Sequence, residues 1–139
     1  MANYIKFIFL TIIFLGFVYL SLTCKDEVTG GDPNSIVFPD SNVSYNNHVE
    51  PLFLAMCAIP GGCHAGENPA GDLSLETYDD LYSTIYRTYI PGDPDNSRLV
   101  RAIEGKESGI PQMPLGRPPL NSNQIKGIRT WIKEGAKNN

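Results

Sequence analysis

The stretch Cys57-Ala58-Ile59-Pro60-Gly61-Gly62-Cys63-His64 limits this 139-residue chain more than any other. Upstream of it, Val49, Leu52, Phe53 and Met56 recur at i, i+3, i+4 and i+7, the spacing of one buried helical face. Pro51 falls in the first turn of that helix, where a missing N–H is tolerated. Thiols three residues apart share a helical face, whereas thiols six apart on one helix point about 240° away from each other. The helix that starts near Asn47 therefore has to stop at about Cys57. Pro60, Gly61 and Gly62 supply the break and the tight turn. A bulged loop there would carry Cys63 back to the position that a two-residue spacer would give it.

Three more helical segments follow, separated by loops containing Gly and Pro. The Thr77 hydroxyl can cap residues 78–86, and Asp80 suits the positive helix start. Pro91-Gly92-Asp93-Pro94 announces the next helix, with Asp93 as N-cap and Pro94 at the first position, running through Leu99, Val100 and Ile103 to Gly105. Asn121 with Gln124 three residues on reads as a capping box. Behind it, Ile125, Ile128 and Ile132 form a stripe with Trp131 beside it, ended by Gly135. No segment alternates with period two, so the expected fold class is all-α: one domain over residues 43–137.

The N-terminus reads differently. Lys6 precedes an apolar run over residues 7–22, the parts of a secretory signal over residues 1–23. Leu20-Ser21-Leu22-Thr23-Cys24 resembles a bacterial lipoprotein cleavage box, which makes Cys24 the lipidated residue. In the other reading the run stays uncleaved as a membrane anchor, a little short of the ~20 residues that span a bilayer comfortably. Both predict a domain that is exported and tethered to a membrane, in the periplasm or on the outer cell surface. Residues 24–42, rich in Asp, Gly, Pro, Ser and Asn, read as a flexible linker. Removing residues 1–23 takes away only Lys6, leaving ten basic against fifteen acidic side chains, a net charge near −5. That balance carries no electrostatic footprint for nucleic acid.

A histidine directly after the second of two cysteines is the attachment pattern for covalent haem. Two thiols add across the two vinyl groups, and the adjacent imidazole becomes the proximal iron ligand. The usual pattern has two residues between the cysteines; this chain has five. A second axial ligand would come from a distant loop, and Ile110-Pro111-Gln112-Met113-Pro114-Leu115-Gly116 offers a methionine there. A neutral thioether is the soft ligand that raises haem potential in electron carriers.

The chain resembles the small single-haem cytochromes c, particularly the planctomycete-type subgroup. The resemblance is carried by Asn47-His48-Val49-Glu50-Pro51-Leu52-Phe53, Cys63-His64-Ala65-Gly66, Gly71-Asp72-Leu73-Ser74-Leu75, Pro91-Gly92-Asp93-Pro94-Asp95-Asn96-Ser97, Met113-Pro114 and the closing segment 120–136 with Trp131. It implies a class I cytochrome c-like domain, with short helices and long loops around one haem c. It further implies His64 and Met113 as axial iron ligands and Cys57 and Cys63 as thioether cysteines. The function implied is electron transfer rather than enzymatic catalysis, with redox partner proteins in a respiratory or extracellular electron-transfer chain.

Other readings of the same residues stand beside this one. Cys57 and Cys63 can pair as a disulfide in a haem-free exported interaction module. A zinc site from Cys57, Cys63, His64 and His48 fits tetrahedral spacing poorly, because Cys63 and His64 are adjacent. His48 reads as a surface or capping residue and Met56 as core. Trp131 and the tyrosines at 78, 82, 86 and 89 read as hydrophobic wall. Arg117 is a candidate partner for a haem propionate, or an ordinary surface arginine.

Overall fold

The computed structural model describes residues 32–59, 61–83 and 88–139. Its α-helices are α1 (Glu50–Met56), α2 (Tyr78–Ser83), α3 (Arg98–Ile103) and α4 (Ser122–Lys133). Among the described residues there is no strand, and no helix is long and apolar enough to cross a membrane. The architecture is helical, as the periodicities predict. The signal segment, Cys24, the linker as far as residue 31, Pro60 and Tyr86 lie outside the described residues.

A five-residue π-type turn, Tyr45–Val49, leads into α1. Ser44 starts it: its hydroxyl accepts from the Asn47 N–H at 3.2 Å, and its own N–H donates to His48 Nδ1 at 3.0 Å. His48 is thus a capping residue at this turn. From here Val49, Leu52, Phe53 and Met56 all face inward and are buried, as their spacing predicts. The opposite wall is α4, where Ile128, Trp131 and Ile132 are wholly buried. Both bonds of the capping box form, Gln124 N–H to Asn121 Oδ1 at 3.0 Å and Asn121 N–H to Gln124 Oε1 at 3.1 Å. Trp131 sits among aromatic rings, with centroids 5.7 Å from Tyr45 and 5.3 Å from Tyr89. Tyr78 and Tyr89 are therefore wall material, while Tyr82 stacks on Tyr78 and is 73% exposed.

Within the segment read as a linker, residues 24–42, the chain touches α4 at Pro33 and Phe38 while Val37 stands 68% exposed. Phe38 is buried, its N–H and carbonyl both bond the Asn123 side chain, and Gln124 Nε2 donates to the Pro33 carbonyl at 2.7 Å. The Phe38 ring fills a notch made by Gly127, where an added Cβ would lie 2.1 Å from it. One aromatic residue in a polar run is enough to dock that run, because α4 provides a place for it. Glu134 then fastens the next residues, accepting from the N–H groups of Asn42 at 2.7 Å and Val43 at 2.9 Å.

The third helix begins at Arg98, not at Pro94. The Asp93 carboxylate accepts from the N–H and the side-chain amide of Asn96, which closes a separate turn before the helix. Those bonds also hold the Asp93 carboxyl below the usual carboxylate range. Ser97, fully buried, then donates to the Asp93 carbonyl at 2.7 Å and accepts from the Ile90 N–H at 2.8 Å. An Asp side chain serving a local turn competes with its use as a helix cap. At α2 the expected cap does form, with the Asp80 N–H donating to Thr77 Oγ1 at 3.1 Å.

Candidate functional site

The end of α1 positions the first cysteine. The N–H groups of Cys57 and Ala58 both donate to the Phe53 carbonyl, at 2.8 and 2.7 Å, the shared bonding of a helix that is closing. The chain then loops out and returns, and the His64 N–H donates to the Cys57 carbonyl at 3.0 Å. This bond closes the lengthened spacer: the residue after the second cysteine is pinned to the first. Gly61 makes the turn with φ of +91°, a conformation that favours glycine. Cys57 is buried, Cys63 half-buried, and both are free thiols. Burial pushes the Cys57 thiol up to about 12; the neighbouring Cys63 adds to the rise, and Arg117 opposes it.

The imidazole is oriented by a partner that no sequence pattern names. His64 Nδ1 lies 3.1 Å from the Leu73 carbonyl oxygen. A carbonyl only accepts, so Nδ1 carries a proton, and Nε2 is the ring nitrogen left to ligate. That is the arrangement a metal-ligating histidine needs, with an outer partner fixing the ring. The same segment holds the backbone, with the Leu75 N–H donating to the His64 carbonyl at 2.9 Å. The Ala70 N–H reaches the Cys63 carbonyl at 2.9 Å, and the Gly66 N–H reaches Glu76 Oε2 at 2.9 Å. Residues 63–66 are thereby laced to residues 70–76. The donor set fits a covalently held haem: two free thiols with converging backbones and an imidazole whose Nδ1 is taken by a backbone carbonyl.

Met113 comes from the loop after α3. Its N–H donates to the Ala102 carbonyl at 3.0 Å, Gln112 Nε2 donates to the Ile103 carbonyl at 3.1 Å, and its side chain packs half-buried at the edge of the core. Arg117 lies on the cysteine side, its Nη1 donating to the Ala55 carbonyl at 3.2 Å. Met56 is buried among core residues. Among the described residues no group of three or more His, Cys, Asp or Glu side chains is arranged to hold a metal ion. A haem iron takes four of its ligands from the porphyrin, so a haem site needs no such group.

The family model described as Planctomycete cytochrome C matches residues 61–114. The match takes in Cys63, His64 and Met113, begins after Cys57, and supports a cytochrome c-like family. That family points to an electron carrier rather than an enzyme. No curated protein and no solved structure matches the chain.

Proposed function

We propose that this is an exported, membrane-tethered c-type cytochrome that carries single electrons on one covalent haem. The observation that carries the reading is His64. It directly follows the second of two free thiols, its backbone is closed onto the first, and its Nδ1 is committed to the Leu73 carbonyl. Haem supplies a reversible one-electron couple at iron. In this reading Cys57 and Cys63 would anchor the group through thioethers, and His64 Nε2 and Met113 Sδ would ligate its iron. Leu73 holds the imidazole with its proton on Nδ1. Two protein ligands would leave no position open for oxygen or peroxide, which suits a carrier. The tether is Cys24 through lipid, or the segment over residues 1–23 as an anchor. Its partners are redox proteins of a respiratory or extracellular electron-transfer chain.

A mass spectrum of the exported protein tests haem, lipid and cleavage together. The expected mass is the chain from Cys24 onward plus acyl groups and one haem, with sharp visible bands on reduction. A mass of polypeptide and acyl groups alone, from colourless protein, would sink the proposal. Met113→Ala is expected to remove the weak long-wavelength absorption of an iron–thioether bond while leaving haem attached.

A further inference from the structure

We propose that Arg117 is the clasp that keeps Met113 in place as an iron ligand, by fastening the methionine loop to the open end of α1; this rests on the haem reading above. The loop is suspended between two helices. On one side the Met113 N–H and the Gln112 side chain hold the last carbonyls of α3, those of Ala102 and Ile103. On the other side Arg117 Nη1 holds the Ala55 carbonyl, in the last turn of the helix that delivers Cys57. The Phe53 carbonyl takes the two N–H groups that follow the helix, and Ala55 lies next to its end. A cation there satisfies a terminal carbonyl and opposes the negative end of the helix.

Arg117 is coupled to Met113 by a short path. Its own N–H donates to the Pro114 carbonyl at 3.4 Å, which closes a turn over residues 114–117 beginning right after Met113. Pro114 is buried although Leu115, Gly116 and Arg117 are exposed, so the turn is seated at its Met113 end. Pulling Arg117 off Ala55 frees the far end of this turn and leaves Met113 held by its α3 bonds and the seat of Pro114, with nothing fastening the loop to α1. The guanidinium is also near enough to Cys57 for its charge to act on the thiol. It therefore stands at the junction of the cysteine helix and the methionine loop. Arg117 is thus a positioning residue, acting on iron through Met113.

The test uses the full exported protein, with Arg117→Gln and Arg117→Lys beside Gln112→Ala. Arg117→Gln is expected to keep the haem mass and reduced bands, but to weaken the iron–thioether absorption. It should also tighten azide binding to the ferric form by roughly three- to tenfold, because the open-loop population rises. Arg117→Lys restores part of both, and Gln112→Ala changes them less, since the Met113 N–H still holds Ala102. Amide hydrogen exchange over residues 113–117 of haem-free protein gives a readout without iron, and Arg117→Gln should speed it. Unchanged thioether absorption, azide affinity and exchange in Arg117→Gln overturn the clasp while leaving the cytochrome reading intact. Wild-type protein without haem overturns that reading instead, and the exchange arm still decides whether Arg117 fastens the loop.

Discussion

The half of the molecule built on α4 and the half that carries Cys57, Cys63, His64 and Met113 are held by different forces. Around α4, Trp131, Ile128 and Ile132 are wholly buried against the turn over Tyr45–Val49, and Phe38 plugs the notch at Gly127. That half is stabilised by apolar area removed from water, which grows with every side chain added. Around His64 the imidazole and Cys63 are half-exposed, and their order comes from single bonds that use the backbone: the His64 N–H to Cys57, the Leu75 N–H to His64, His64 Nδ1 to Leu73, and the Gly66 N–H to Glu76. Each such bond is worth only about 0.5–1.5 kcal/mol net. The difference teaches that stability and orientation are supplied by separate parts: a packed wall carries the fold, and a laced loop aims the imidazole.

The comparison breaks most sharply at Trp131. Trp131→Ala removes the ring shared by Tyr45, Tyr78 and Tyr89 and the bond from Nε1 to the Lys137 carbonyl. Haem-free protein should lose about 3–5 kcal/mol, read from the urea midpoint. A loss under about 1 kcal/mol would place the load-carrying packing elsewhere.

Next in size is Gly127→Ala, which sets a methyl 2.1 Å from the Phe38 ring. The expected cost is about 1–3 kcal/mol from overpacking. Adding Phe38→Ala removes the clash, so the double variant should lose less than the two single losses summed. Strict additivity would mean that residue 38 does not occupy the notch.

The laced half is sharpened by its thiols. In haem-free folded protein, iodoacetamide should modify Cys63 at least about tenfold faster than Cys57, because burial protects one sulfur and raises its pKa. Equal rates, followed by mass after proteolysis, would show that the end of α1 is open.

The smallest effect belongs to Glu104. Its hydrogen bond from Lys106 at 2.7 Å and the Arg129 guanidinium at 3.0 Å hold its carboxyl below the ordinary 4.5. A depressed folded-state pKa contributes stability above the unfolded value, lost as pH falls through the folded one. Glu104→Gln should therefore cost under about 1 kcal/mol at pH 7. The variant and the wild type should converge in stability as pH falls below about 4.5; a constant gap down to pH 3 would remove the ion pairs from the account.

The sequence by itself determined the helices whose signals are local, because caps and periodic faces act within about one turn. Asn121 with Gln124, Thr77 with Asp80, and the stripe from Val49 to Met56 could all be read that way. It also put Cys57, Cys63 and His64 forward as candidates, since their types and order carry chemical meaning. Only the tertiary structure decided that Phe38 docks on α4, since that ring has value only opposite a glycine far along the chain. It alone decided that Asp93 serves a turn while α3 waits until Arg98. The same holds for the Leu73 carbonyl that fixes His64 and the Ala55 carbonyl that receives Arg117. Every residue except its side chain looks alike to such a bond, so a backbone partner leaves no mark in the sequence.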